Sequence, residues 1–429
     1  MSQPRVNPPN PTKIVVIGGG FAGVYAARSL ERQWSDSPHV SITLISRENY
    51  FLMTPLLFEA SSGVLEPRHT VTPIRSMFDG YVRFVQANVE SIDLEKRRVT
   101  AKLNDEHTRN FEFDHIVLAL GGVTNKNLIQ GSEFARTFKT LYDAISLRNH
   151  CIANFEAADV ETDETKRRAL LTFVIIGGGL VGLELQGELT EFIKNISRAY
   201  PRIKSDSVRF ELIEAGPRLV PEMDEELGKY AMQVLVNRGV TVRLNTRVKS
   251  IENRKVHVTD TESIDSDTII LAAGVAVNPL IAALPVQKNP KNRVIVDATM
   301  RSTSHPYVWA LGDCAAIPDP QGKPYPQLAQ HALREARLIG KNITAVIRGQ
   351  PPKPFIYKNK GTLAALGRHK GVGRVFKFKI YGFIAWWVWR TYYLMQMPRF
   401  DRRLRIVIDW TVALFFKNDV VELDMLTRR

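Results

Sequence analysis

"TFVIIGGGLVGLELQGEL", residues 172–189, decides the fold. Five residues of mostly apolar, β-forming character run into a triple glycine, and a helical pattern follows. Gly177 permits the tight turn, Gly179 lets a pyrophosphate approach the backbone, and Gly182 lets helix and strand pack closely. The helix N-terminus then faces the phosphate oxygens. Phosphate binding does not explain Glu184, two residues past the last glycine, or Glu188 one turn further on. Two readings stand side by side. Carboxylates near a helix start complement its dipole, whereas a carboxyl at a reaction centre can hold and transfer a proton.

The stretch occurs twice. "IVVIGGGFAG", with Gly18, Gly20 and Gly23 enclosing Phe21 and Ala22, matches "FVIIGGGLVG" at an offset of 159 residues. "VESIDLEKRRVT" from Val89 pairs with "VKSIENRKVHV" from Val248 at the same offset, and "FDHIVLALG", closing on Gly121, pairs with "SDTIILAAG", closing on Gly274. Three matches in one order describe two related domains of the α/β, Rossmann-like class, each with its own dinucleotide cradle. The expected boundaries are a flexible, proline-rich tail over 1–12 that is not a signal peptide, a first nucleotide domain in two parts (13–140 and 286–350), a second over 141–285, and a C-terminal region over 351–429.

At the end of the second strand of each domain a side chain usually grips the adenosine ribose. In the second domain that residue is Glu214, whose carboxylate disfavours a 2′-phosphate and so favours NADH over NADPH, although Arg218 is close enough in sequence to soften the preference. The first domain carries Ser46, followed by Arg47; either the Ser46 hydroxyl bonds the ribose or Glu48 reaches round.

Composition narrows the partners. The net charge is +14, and residues 358–417 hold thirteen Lys or Arg against two acids, with four of the six tryptophans. Cations beside tryptophan suit a bilayer interface, and their interleaving with bulky aliphatics argues against nucleic acid. "YGFIAWWVWRTYYLMQM" and "RRLRIVIDWTVALFF" read as two amphipathic helices divided by Pro398. Their apolar faces meet either a membrane or a second copy of the chain. The most apolar run, residues 383–389, is far short of the roughly 20 residues needed to span a bilayer. Cys151 and Cys314 are the two cysteines, too few for a disulfide framework or a multi-cysteine metal site, and fit a reducing compartment.

"YVWALGDCAAIPDP", residues 307–320, resembles the second flavin motif of two-dinucleotide-fold flavoproteins, which implies FAD in the first domain and makes Gly312 and Asp313 contacts to it. From about Lys13 to about Phe416 the chain resembles the type II NADH:quinone oxidoreductases, or alternative NADH dehydrogenases. The resemblance rests on "NYFLMTPLLFEASSG", "LALGGVTN", "GGGLVGLELQGEL", "ELIEAGPRLVP", "AAGVAVNPL", "GDCAAIP", "LAQHALREA" and "TLAALGRHKGV". It implies a non-pumping enzyme, peripheral on the cytoplasmic face of the cell membrane, that carries electrons from NADH through FAD to a quinone. Glu184 and Gln330 are the implied catalytic residues, Gln330 also touching the cofactor. Where the family has glutamines one turn beyond, this chain has Arg334 and Glu335, read either as an ion pair that alters the acceptor or as a solvated helix face. That departure keeps a soluble electron carrier open as the acceptor, and an NADH-responsive interaction module stands as the non-enzymatic alternative.

Overall fold

The computed structural model describes residues 10–35, 37–103, 107–416 and 419–422. Residues 1–9 of the expected tail lie outside that set. The chain forms two compact units: Met1–Leu52 with Val71–Val123 and Ala276–Lys358, and Met53–Thr70 with Thr124–Val275 and Asn359–Arg429.

The first unit is organised by a seven-stranded sheet, in spatial order Val308–Ala310, His115–Leu118, Thr12–Ile17, Val40–Ser46, Val82–Asp93, Arg98–Leu103 and Thr108–Glu112. The first five run parallel, and their near-continuous Val, Ile and Leu content is that of strands covered on both faces. The first half of Val82–Asp93 pairs in parallel with Val40–Ser46, while its second half turns into an antiparallel meander with Arg98–Leu103. The helix Phe21–Trp34 starts directly after the glycine turn and packs on the helix Ala329–Ile347, where the Ser29 hydroxyl donates to the Arg337 carbonyl at 2.9 Å.

The second unit repeats the plan. Its parallel sheet runs Arg136–Thr137, Thr268–Leu271, Thr172–Ile176, Arg209–Ile213, Val240–Arg243. The order around the glycine-bearing strand matches that of the first unit, and the repeated segment from Val248 is again an antiparallel hairpin, Ser250–Glu252 with Lys255–His257. The helix Leu180–Ile196 follows the second glycine turn.

The C-terminal region contains more than two helices. Gly361–Ala365, Gly371–Val375 and Phe378–Tyr381 form a three-stranded antiparallel sheet ahead of the two expected helices. Two helices follow, Gly382–Gln396 and Phe400–Phe415, broken at Pro398 as expected. Among the described residues no helix is long and apolar enough to cross a membrane.

Candidate functional site

Both cradles have the geometry their glycines imply. Gly18 and Gly177 take φ of +116° and +115°, a region open to glycine and strained for other residues. The helices Phe21–Trp34 and Leu180–Ile196 begin at Gly20 and Gly179 with no side-chain cap and no acid in the first turn, so their N-terminal amides are left for an anion. A side chain built on Gly20 would enter open space, as would one on Gly121. These are the features of a phosphate cradle, and the residues of the first unit fit a dinucleotide: Gly18, Gly20, Phe21, Ala22, Gly23, Ser46, Gly121, Gly312 and Asp313 all belong to it. Gly177, Gly179, Gly182, Glu214 and Gly274 belong to the second.

The middle glycine of each turn shows that Ser46 and Glu214 hold equivalent places. A methyl on Gly19 would strike the Ser46 hydroxyl, and one on Gly178 would lie 3.0 Å from the Glu214 Cβ. Ser46 is buried, while Glu48 pairs with the exposed Arg47 at 2.9 Å. Glu214 is a brace within its unit: the Gly178 amide donates to one oxygen and the Gly216 amide to the other, each at 2.6 Å. A carboxylate has about four acceptor sites, so lone pairs remain for a ribose hydroxyl. Arg218 instead donates to the Pro221 and Met223 carbonyls, at 2.8 and 3.2 Å.

The Arg334 and Glu335 departure is not an ion pair on a solvated face. Glu335 is buried, and the Gly312 amide donates to it at 2.8 Å. Burial pushes its carboxyl up to about 7, opposed by that hydrogen bond. Arg334 lies over the Tyr357 ring at 4.3 Å and donates to the Gln330 carbonyl, while the Tyr357 hydroxyl donates to Gln330 Oε1 at 3.5 Å. Neighbours in a helix point about 100° apart, which is why adjacent charges go to different partners.

Glu184 lies in the second turn of its helix, past the amides that a dipole-complementing carboxylate would meet, and is buried. The Ala365 amide and the Trp389 indole N–H both donate to Oε1, at 3.0 and 2.8 Å. Gly187 makes this possible: a side chain there would collide with the backbone of Leu366 and Gly367, so only glycine lets the strand end come up against the helix. Burial raises the Glu184 carboxyl to about 8, the two donors opposing it, and the neighbouring Glu188 adds to the rise. At neutral pH the carboxyl is mostly protonated.

A second carboxylate pair adjoins it. Ser62 Oγ lies 2.6 Å from Glu188 Oε1, and Arg390 holds Glu59 Oε1 through Nε and a terminal nitrogen at 2.9 and 2.8 Å. The Trp410 indole donates to Glu59 Oε2 at 2.6 Å, and the Arg390 guanidinium is sandwiched between Trp386 and Trp410, 4.3 and 4.5 Å from their ring centres. Glu59 and Glu188 both face a cavity of about 190 Å³. Burial, followed by the charge of Glu59, raises the Glu188 carboxyl. Glu59, Ser62 and Arg390 were not singled out from sequence, where the available signal was a charge, Glu59, set inside the apolar stretch "PLLFEASSG"; Trp389, counted among the tryptophans suited to a bilayer interface, is instead buried against Glu184.

Comparison with known proteins agrees with this architecture. Residues 12–336 match the family model described as pyridine nucleotide-disulphide oxidoreductase, and residues 359–419 match the NDH2 C-terminal domain. A type II NADH:quinone oxidoreductase of Mycobacterium tuberculosis, NdhA, is 31% identical over 94% of this chain and 87% of its own length. The chain belongs to the type II NADH:quinone oxidoreductase family. A probable NADH dehydrogenase of Dictyostelium discoideum is 32% identical over 95% of this chain and 90% of its own. The fold also matches the solved structure of NDH2 from Plasmodium falciparum in complex with NADH, with a TM-score of 0.87 over 96% of this chain and 99% of that one, at 21% identity. As a family member this chain is an oxidoreductase of the two-dinucleotide flavoprotein class, with FAD as its cofactor.

Proposed function

We infer that Glu184 supplies a proton to the quinone that this NADH:quinone oxidoreductase reduces, and that the C-terminal helices seat the enzyme on a membrane surface. FAD, when bound, provides the two-electron chemistry that joins the two half-reactions. In this reading the first unit holds FAD at Gly18, Gly20, Gly23, Ser46, Gly121, Gly312 and Asp313, with Gln330 beside it. The second holds NADH on the turn Gly177–Gly182, with Glu214 accepting from the adenosine ribose.

One observation carries the role of Glu184. It is a buried carboxyl, raised to about 8, whose two N–H donors converge on Oε1. Oε2 is therefore the oxygen that can bear a proton and give it up. A raised carboxyl is protonated where the enzyme works and close enough to neutrality to be a competent acid. The reading of a soluble electron carrier as acceptor, kept open by the Arg334 and Glu335 departure, gives way to a quinone because the relatives are NADH:quinone oxidoreductases, and Glu335 bonds the Gly312 amide rather than pairing with Arg334.

The docking surface is the outer side of the last two helices. Phe383, Trp387, Phe400, Leu404, Ile408 and Phe415 are each more than half exposed, with Arg405 exposed among them. Exposed large apolar groups beside cations are favoured at the headgroup boundary, where a lipid-soluble quinone is within reach. The cytoplasmic face of the membrane suits a donor of that compartment, and a second copy of the chain is the competing cover for the same helix faces.

Purified enzyme should be yellow, bleach with NADH, and recover its colour on adding a short-chain quinone. Glu184→Gln should keep FAD and bleaching but slow recovery by about a hundredfold. Loss of FAD from that variant, or recovery at the wild-type rate, would count against the proton role.

A further inference from the structure

Reduction of a quinone by NADH consumes one proton from solution: the donor's hydride carries two electrons and one hydrogen, and the quinol needs a second hydrogen. Glu184 is enclosed, so each proton it gives away has to be restored through the protein. We propose that Glu188, on the wall of the cavity it shares with Glu59 and held by Ser62, is the positioning carboxyl that restores the proton of Glu184 from cavity water. The proposal rests on Glu184 being the proton donor to the quinone.

The geometry at Ser62 supports it. Glu188 Oε1 at 2.6 Å and the Glu59 carbonyl at 3.1 Å are both acceptors within reach of its single hydroxyl proton. One O–H satisfies only one of them. When it turns to the Glu59 carbonyl, the 2.6 Å contact is kept only if Glu188 carries the proton and donates to Ser62 Oγ. When Glu188 is ionised, the hydroxyl turns back to it. Both protonation states of Glu188 are thus accommodated by rotating one bond.

Position supports it too. Glu184 and Glu188 are one helical turn apart, about 5–6 Å between Cβ atoms, and the charge of Glu188 acts on Glu184. The cavity of about 190 Å³ has room for several waters, and its charged lining is Glu59, Glu188, Glu191, Arg198, Arg368 and Arg390. Glu59 is held beside the entry by Arg390 and Trp410. The charged groups around Glu188 and its cavity are Glu184 and Glu191 on its own helix, Arg198 in the turn Ser197–Ala199 that follows it, Glu59 on the helix Leu57–Ser61, Arg368 after the strand Gly361–Ala365, and Arg390 on the helix Gly382–Gln396. The step balances: Glu184 gives its proton to the reduced quinone oxygen, Glu188 passes its own proton to the resulting Glu184 carboxylate, and one proton drawn from solution through cavity water returns Glu188 to its starting state, so that one solvent proton is consumed per turnover.

The test compares Glu188→Gln, Ser62→Ala and Glu184→Gln in FAD-loaded enzyme, following colour recovery with a water-soluble quinone under single-turnover and steady-state conditions. Bleaching by NADH should be unchanged in all three. Glu188→Gln should leave the first recovery near the wild-type rate, because Glu184 is already charged with a proton. It should slow later turnovers at least tenfold, with a larger solvent deuterium isotope effect, a slowing that steepens as pH rises, and partial rescue by Glu188→Asp or added azide. Ser62→Ala, a smaller change that protects the test if Glu188→Gln is unstable, should act in the same direction. Independently of turnover, infrared spectra of the resting protein should show a protonated carboxyl band that titrates near neutrality and disappears in Glu188→Gln. Wild-type steady-state rates and isotope effects in both Glu188→Gln and Ser62→Ala, with Glu184→Gln slow, overturn the relay and leave the role of Glu184 intact. Wild-type recovery in Glu184→Gln overturns the role of Glu184 itself, and the relay with it.

Discussion

In the first unit the helix Phe21–Trp34 carries Tyr25 and Ser29 where, 159 residues on, the helix Leu180–Ile196 carries Glu184 and Glu188. The turns before them are nearly superposable in conformation, down to the φ of the first glycine. Tyr25 packs edge-on against Phe51, 6.0 Å between ring centres, and Ser29 bonds a neighbouring helix. Their counterparts are buried acids that meet an indole, a backbone amide and a hydroxyl. The cradle is therefore a shared solution to binding a dinucleotide, while the next two turns of helix are free to take up different work. Ser46 and Glu214 differ in the same way at the ribose end.

The most drastic way to separate the two cradles is to fill each in turn. A side chain on Gly23 would collide with the Gly18 carbonyl, and one on Gly182 with the Gly177 carbonyl, neither of which can move without undoing the turn. Gly23→Val should give colourless protein, with FAD content reduced at least tenfold. Gly182→Val should stay yellow yet fail to bleach with NADH. Overpacking of this kind costs on the order of 1–3 kcal/mol or more, enough for those losses. Absorbance of the purified variants, before and after NADH, checks both; a yellow Gly23→Val would break the assignment of FAD to the first unit.

The ribose ends give a graded test. Glu214→Ala removes the acceptor of two amide bonds as well as the proposed ribose contact, and bonds to a charged group contribute about 1.5–3 kcal/mol each. The KM for NADH should rise by tenfold or more, and the preference over NADPH should shrink. Ser46→Ala should change FAD retention by less than about tenfold, since a neutral hydroxyl contributes about 1 kcal/mol. Comparable losses in the two variants would mean that Ser46 and Glu214 are not unequal partners after all.

The acid pair predicts a pH signature that the first unit's Tyr25 and Ser29 cannot produce. The Glu184 carboxyl is raised from 4.5 to about 8 by burial, so the folded protein holds a proton that the unfolded chain releases. Its contribution to stability is fully present below the unfolded value and is lost as pH rises through the folded one. Wild-type Tm should therefore fall between about pH 5 and pH 8, and Glu184→Gln should flatten that fall by up to a few kcal/mol of unfolding free energy. Parallel Tm profiles for the two proteins would show that the carboxyl is not held protonated.

The cradles were legible in the sequence because glycine spacing answers a backbone constraint, and backbone constraints are local. Gly18 and Gly177 announce their turns without reference to anything more than a few residues away. Glu184 could be noticed for the same reason, as a charge that the local motif leaves unexplained. Its surroundings could not be. Ser62 meets Glu188 across 126 positions, Trp389 meets Glu184 across 205, and Trp410 meets Glu59 across 351. Each of these contacts depends on how helices and a small sheet pack, which no short pattern encodes. The tail shows the same limit, since alternation in "RVFKFKIY" is a strand signal masked by the charge and tryptophan that dominate the region. Glu335 shows it at the scale of one residue: whether it pairs with Arg334 depends on which way each side of the helix faces, and the buried side faces Gly312.

The smallest predicted effect contrasts the inner and outer sides of the last two helices. On the inner side, Trp389, Arg390 and Trp410 bond the buried acids, so changing them disturbs the candidate site itself. On the outer side Arg405 is exposed between Leu404 and the buried Ile406, with no part in those contacts. A single cation near an anionic leaflet contributes about 1 kcal/mol, so Arg405→Ala should weaken binding to vesicles containing anionic lipid by about fivefold. The same change should leave Tm, FAD content and reduction of a water-soluble quinone as they are, and its effect should fade as salt is raised. Co-sedimentation with vesicles of graded anionic content measures it directly. An equal loss with purely zwitterionic vesicles would mean that the charge of Arg405 is not what the membrane reads. An unchanged affinity paired with a shift in oligomeric state would move the outer side of these helices from a lipid surface to a second copy of the chain.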